Sequence, residues 1–264
     1  MKSKTAKYWE LTKIGFKEAS AYRLDAVTGL ASSLLYIILY YYIWQAIAAA
    51  GTLASSLSAV MTYIVVAQVV SSTVFISVEG FIGRKVRHGT IVNELKRPVT
   101  LFTQAYFRKL GVAAFRSVTR GLPVLVLGIF FLQVPVPQGF NLVYFFLSLL
   151  LALNLVILFS YSASMLVFWT KVEWSIRGVR NTVQKLFSGV IFPLYLLPEG
   201  LSTVFSILPF RYMVDGPIQI FLMQRTGLEA VKMLGLQFVW VIVLFGLARF
   251  MWKKAKAKMT VQGG

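Results

Sequence analysis

The sequence predicts an all-α integral membrane protein with six transmembrane helices and both termini in the cytoplasm. Three observations predict it. First, no Asp, Glu, Lys or Arg occurs from Ala26 to Val78 or from Gly121 to Thr170. A membrane helix needs about 20 mostly apolar residues, so each stretch holds two spans and a turn. Second, the 264 residues are 58% hydrophobic and only 14% charged, with a mean hydropathy of +0.73; soluble domains carry about 25% charge. Third, 24 of the 27 Lys and Arg fall in segments 1–25, 79–120, 171–185 and 249–264, leaving only Arg211, Arg225 and Lys232 elsewhere. The positive-inside rule produces this distribution. A net charge of +18 would otherwise suggest nucleic acid; the placement of basic residues between apolar spans excludes that partner.

Residues 2–23 come first. Lys2, Lys4, Lys7, Lys13, Lys17 and Arg23 stand against Glu10 and Glu18. At 3.6 residues per turn, Tyr8, Leu11 and Gly15 share one side, with Trp9, Thr12 and Phe16 beside them. This pattern predicts an amphipathic helix in the membrane interface, basic face to the headgroups. The other reading is a basic tail that only orients the protein. Span one is 25–48, with Tyr40, Tyr41, Tyr42 and Trp44 as an aromatic belt at its exit. The stretch is too long for the apolar core of a cleavable signal, so it reads as a retained span despite Ala48-Ala49-Ala50. The loop 51–56 is uncharged, and span two is 57–79.

A basic segment follows. GRKVRHGTIVNELKRPVT, 83–100, holds five Lys or Arg, one acid and the only histidine, His88. Span three is 111–133, with Arg116 and Arg120 in its first half. Four residues apart, they share a helix face. They either snorkel to the cytoplasmic surface or line an inner cavity that attracts an anionic or amphipathic substrate. The loop 133–139 is short, Pro-rich and uncharged. Span four is 140–168, the loop 171–180 is basic, span five is 182–197 and span six is 229–251. Residues 198–228 are too long for a turn and too apolar for a free loop. Pro193, Pro198, Pro209 and Pro217 punctuate the region, and Leu201, Val204, Phe205 and Leu208 have helical spacing. A re-entrant or interfacial helical hairpin on the outer side is expected, packed against other spans, since irregular backbone at membrane depth needs protein or water around it.

Several chemistries are missing from the sequence. There is no cysteine, so disulfides, thiolate metal sites and a Cys nucleophile are excluded; this suits a bacterial inner (cytoplasmic) membrane protein. His88 stands alone, so no metal site is expected. There is no Gly-Lys pair, hence no phosphate-cradling P-loop, and no Gly-x-Ser-x-Gly elbow. Asp25, Glu79 and Glu229 sit at span ends, which argues against a carrier with buried coupling carboxylates. Any energy source is expected in another chain, and this chain is not expected to be an enzyme.

Three stretches then carry a likeness. FKEASAYRLDAVTGLASSLL, 16–35, leads a basic helix through an Arg-x-Asp turn into span one. GTIVNELKRPVTLFTQAYFRKLG, 89–111, holds Leu95-Lys96-Arg97-Pro98. FSGVIFPLYLLPEGLSTVFSILPFRYMVDGPIQIF, 187–221, holds Ser188-Gly189, Phe192-Pro193, Leu197-Pro198 and Leu208-Pro209. In this order on six spans, the chain resembles the permease subunit of type-2 ABC exporters, in the small six-span branch encoded separately from its ATPase. The resemblance implies a dimer of permeases, homo- or heteromeric, each served by a cytoplasmic ABC ATPase that binds ATP and Mg; this chain itself would hold no cofactor. It implies that the N-terminal helix is an elbow helix. It implies that 80–98 is a coupling segment, with Glu79, Gly80, Arg84, Arg87, His88 and Glu94 assigned to it as a region. It also implies that the outer hairpin, with Pro198, Glu199, Pro209, Arg211 and Asp215, is a gate. The positive-inside rule alone accounts for much of the same loop charge. An aromatic content of 15% would suit an amphipathic cargo such as a peptide antibiotic, drug or lipid, and equally ordinary span packing. The competing readings are a secondary transporter or channel without an ATPase, and a non-transport membrane protein such as an insertase.

Overall fold

The computed structural model describes residues 4–51, 53 and 55–259. Lys2, Thr52 and Ala54, which belong to the predicted amphipathic segment and first loop, lie outside the described residues. Among those residues the structure is all helical and has no strand. The helices are α1 (Lys4–Ser20), α2 (Arg23–Ala49), α3 (Leu57–Val74), α4 (Glu79–Arg87), α5 (Ile91–Leu95), α6 (Leu101–Arg116), α7 (Leu122–Leu132), α8 (Phe140–Ser164), α9 (Val167–Thr170), α10 (Glu173–Phe187), α11 (Glu199–Ile207), α12 (Arg211–Phe221) and α13 (Gly227–Met259).

Five helical stretches are long and apolar enough to cross a membrane: Arg23–Ala49, Leu57–Arg87, Leu101–Leu132, Phe140–Thr170 and Gly227–Lys258. They correspond to predicted spans one, two, three, four and six. The third begins about ten residues earlier than expected, because α6 continues into α7 through a π-helical turn, Ser117–Gly121. Such a turn widens the helix locally and is common at functional sites.

The segment 182–197, expected as span five, differs from a continuous helix. It is not one helix: α10 ends at Phe187, an irregular stretch follows, and only a 3₁₀ turn, Leu194–Leu196, is regular before α11. The cause is local. Gly189 has φ +85°, a left-handed conformation that glycine adopts without a Cβ clash, and Pro193 and Pro198 cannot continue a hydrogen-bonded ladder. After α11 the chain turns at 208–210 into α12. Phe210 of that bend packs on Phe187 at the end of α10 and on Phe159 in α8, with centroids 5.9 and 5.2 Å apart. At its other end α12 packs Phe221 on Phe145 of α8, 4.9 Å away. So α11 and α12 form a helical hairpin whose bend lies inside the bundle.

The core is built around α3. Val60, Val65, Val66, Ala67, Val70 and Val74 are fully buried. Small and β-branched side chains let neighbouring backbones approach, the usual route to close helix packing in a membrane. Helix α8 packs on α12 and α13, while α2 buries none of its residues completely. Large apolar side chains such as Leu24, Leu35, Phe130, Phe131, Phe140 and Phe238 are exposed. A surface this apolar suits lipid or another membrane helix.

Helix α1 lies lengthwise against α6. Tyr8 stacks on Phe107 at 4.6 Å, and Phe16 meets Phe115 edge-on at 5.4 Å. The approach depends on two glycines: a Cβ on Gly15 would lie 1.9 Å from the Arg108 carbonyl oxygen, and one on Gly111 2.0 Å from that of Thr12. Glu18 accepts from Arg108 Nη1 at 2.7 Å and ties the far end of the pair.

Candidate functional site

The basic segment between α3 and α6 is an ordered two-helix unit. Helix α3 stops at Val74, and side chains from other helices satisfy the break that follows. The Phe75 carbonyl accepts from Arg116 Nη1 at 3.1 Å, and the Val78 N–H donates to Ser160 Oγ at 2.7 Å. Helix α4 begins with Glu79, which is completely buried. Its carboxylate accepts from Ser77 at 2.6 Å, from Ser160 of α8 at 2.8 Å, and from the Arg180 guanidinium of α10. Arg180, only 4% exposed, also donates to Gln184 Oε1 at 2.6 Å. A buried ion pair is stable only when hydrogen bonds satisfy its remaining groups, and here hydroxyl and amide groups do so. The cluster joins α4, α8 and α10 at one point. Beside it Gly83 admits α10: a Cβ there would lie 2.3 Å from Glu173 Cβ.

The other predicted residues separate into inner and outer groups. Glu94 is buried, and Lys85 and Arg97 hold it at 2.5 and 3.2 Å; Gln104 of α6 donates to its backbone carbonyl at 3.2 Å. Glu79 and Glu94 are therefore internal ties. Gly80 is half-buried, its carbonyl accepting from Arg84 Nε at 2.9 Å. Arg84, Arg87 and His88 are exposed, with Arg87 3.4 Å from Glu173. Val92 and Leu95 of α5 are exposed apolar side chains beside them.

Arg116 and Arg120 meet Asp25 at the start of α2. Arg120 Nη2 lies 2.7 Å from Asp25 Oδ2, and Arg116 Nη2 4.0 Å from it. The Arg120 guanidinium lies over Gly29, where a Cβ would come within 2.0 Å of its Cζ. Both arginines line a cavity of about 690 Å³ between α2, α3, the π turn and α10. Tyr36, Tyr40, Gln68, Ser71 and Lys185 also line it, so its wall is polar although the helices around it are apolar.

In the hairpin region Pro198 and Glu199 are exposed and Pro209 is buried. Asp215 is completely buried. It pairs with Arg211 at 2.9 Å and accepts from Tyr63 of α3 at 2.9 Å and Gln219 at 2.6 Å. Its backbone N–H donates to the Ser188 carbonyl at 3.2 Å, and the Tyr63 hydroxyl shares its one proton with the Gly189 carbonyl, 3.1 Å away. The hairpin is thus pinned to the core and to the break after α10. Two carboxylates, Glu79 and Asp215, are fully buried, where the sequence suggested none deep in the bundle; each has an arginine partner.

Sequence reasoning missed Arg180, Ser160, Tyr63 and Lys185. A signal existed for the first: the buried residues of α10 are Glu173, Arg180 and Gln184, which fall on one helix face at intervals of seven and four. Ser160 and Tyr63 carried none, being one hydroxyl each within apolar runs.

Five long apolar helices, a polar cavity among them and an ordered basic segment joining two of them define a multi-pass membrane protein built around a polar interior. The sequence model of the ABC-2 family transporter proteins matches residues 29–263, and the chain belongs to that family. It is an ABC transporter permease, a membrane transport component. No curated protein matches the chain.

Proposed function

We propose that this chain is the permease of an ATP-driven exporter in a bacterial inner membrane, and that α4 and α5 couple it to a separate cytoplasmic ATPase. The observation that carries the reading is the build of that segment. A loop that served only to hold charge in the cytoplasm would need no internal order. Here Glu79 and Glu94 are buried and paired, fixing α4 to α8 and α10 and α5 to α6. Arg84, Arg87, His88, Val92 and Leu95 remain exposed to solvent, a mixed charged and apolar face suited to a protein partner.

A push on α4 would pass through the Glu79–Arg180 pair into α10, and from the Ser188 carbonyl into α12. Helix α10, the irregular stretch after it and the α11–α12 hairpin then form a discontinuous fifth crossing, with the hairpin as a re-entrant outer gate. Counted this way there are six crossings and both termini are cytoplasmic, a topology that the distribution of Lys and Arg supports. Helix α1 acts as the elbow that braces α6. The cavity at Arg116 and Arg120 is the inner part of the pathway for an amphipathic compound. Two permease copies, or two related permeases, complete the transporter with membrane lipid around them, and ATP and Mg bind in the ATPase.

Mild-detergent purification of the tagged protein from its native membrane, followed by mass spectrometry, tests this. The expected result is a stoichiometric ATPase with a P-loop. A protein that runs alone, under conditions that preserve other ABC complexes, would return the chain to the secondary-transporter or insertase readings.

A further inference from the structure

We infer that the compound carried by this permease has an anionic headgroup, recognised by a ladder of cations running from the basic end into the bundle. The inference rests on the proposed transport function and adds the substrate class.

Two cavities share one side chain. Below the polar cavity lies a second, of about 460 Å³, between α4, α6 and α10; Arg116 lines both. Arg84, Lys109 and Arg177 line the lower cavity, Arg120 and Lys185 the upper. One carboxylate lines each: Glu18 below, held by Arg108 at 2.7 Å, and Asp25 above, held by Arg120 at 2.7 Å. Lys109, Arg177 and Lys185 make no salt bridge and no side-chain hydrogen bond among the described residues, and the side-chain hydrogen bond of Arg84 goes only to the Gly80 carbonyl. The positive excess is therefore not neutralised from within.

The positive-inside rule sets which side of the membrane holds these residues. It gives no reason for them to converge on one pair of cavities, where like charges repel and the dielectric is lower than in water. Low-dielectric walls lined by one sign of charge focus the field and concentrate the opposite ion. Docking to acidic groups of the ATPase does not account for the ladder. Arg84 and His88 line the lower cavity and also belong to the proposed docking face, but Lys109 and Arg116 belong to α6 and are half-buried, and Arg120 and Lys185 line only the upper cavity, away from α4 and α5. The upper cavity adds Tyr36 and Tyr40 from α2, a helix with no completely buried residue. An occupant can thus keep its headgroup on the cations and its tail toward the apolar surface.

The test is binding to the purified permease in nanodiscs of zwitterionic lipid, without ATP or ATPase. The probes are oleoyl lysophosphatidate and oleoyl lysophosphatidylcholine, which share a chain and differ in net charge. Lysophosphatidate is expected to saturate at least about tenfold more tightly, with an affinity that falls as salt rises. Lys109→Met is expected to weaken it about tenfold, the usual effect of one charge-assisted hydrogen bond; Lys109→Arg retains it. Lys253→Met removes a charge that lines neither cavity and leaves binding unchanged. Phosphatidylglycerol in the disc that displaces the probe assigns the site to a resident lipid headgroup and overturns the substrate class; failure to displace it assigns the site to the transported solute and upholds it. Equal binding of the two probes overturns the inference, as does a Lys109→Met variant that loses the ATPase while binding both probes as before. A permease that copurifies with its ATPase yet binds both probes equally retains the proposed function and loses only the substrate class.

Discussion

At the scale of residues, the decisive feature is the Glu79–Arg180 pair. Its partners are 101 positions apart, so no local pattern joins them. Sequence reading placed Glu79 at a span end because the charge-free run stops there, and that position was legible. Its burial was not, because burial depends on α8 and α10 arriving from elsewhere in the chain. The pair yields a quantitative expectation. Glu79→Ala leaves a buried guanidinium without its counter-charge, which costs about 3–5 kcal/mol; the melting temperature in detergent should fall accordingly. Glu79→Met combined with Arg180→Met removes both charges and should recover most of that loss. If the double variant were no more stable than the single one, the two groups would not act as a pair.

At the scale of elements, the first four long apolar helical stretches and the basic C-terminal helix were legible because length and hydropathy suffice for a membrane span. The fifth was not. Its 13 charge-free residues between Lys185 and Glu199 and two prolines already pointed to an irregular segment, yet the apolar run still suggested a helix. The break falls at Gly189, where Tyr63 and Asp215 crowd the backbone: a Cβ would lie 2.6 Å from Tyr63 Oη. Gly189→Ala therefore combines a strained φ with a clash, and should loosen the hairpin and speed amide exchange in α12. Helix α1 offers a parallel case. Its amphipathic pattern suggested headgroups as the neighbour of its polar face and left the partner of Gly15 unseen. Gly15→Leu would force α1 from α6, an overpacking cost of about 1–3 kcal/mol, seen as faster amide exchange throughout α1. Gly178→Ala, with open space around the added methyl, should change neither.

At the scale of the whole molecule, the class came from composition and the expected orientation from charge, which are sums along the chain and need no contacts. The cavities depend on packing and so stayed hidden, although Arg116 and Arg120 marked one of them. The six-crossing account predicts opposite labelling of two positions: with no native cysteine in the chain, Leu201→Cys should react with an impermeant thiol reagent from outside, and Lys254→Cys only after the membrane is opened. The central claim is narrower, that α4 and α5 meet an ATPase. A photoreactive residue at exposed Val92, irradiated in intact cells, tests it most directly. The account predicts a crosslink to a P-loop ATPase, absent when the probe is moved to Leu201 in α11. A crosslink from Val92 only to lipid or to another permease, with the ATPase gene expressed, would contradict it.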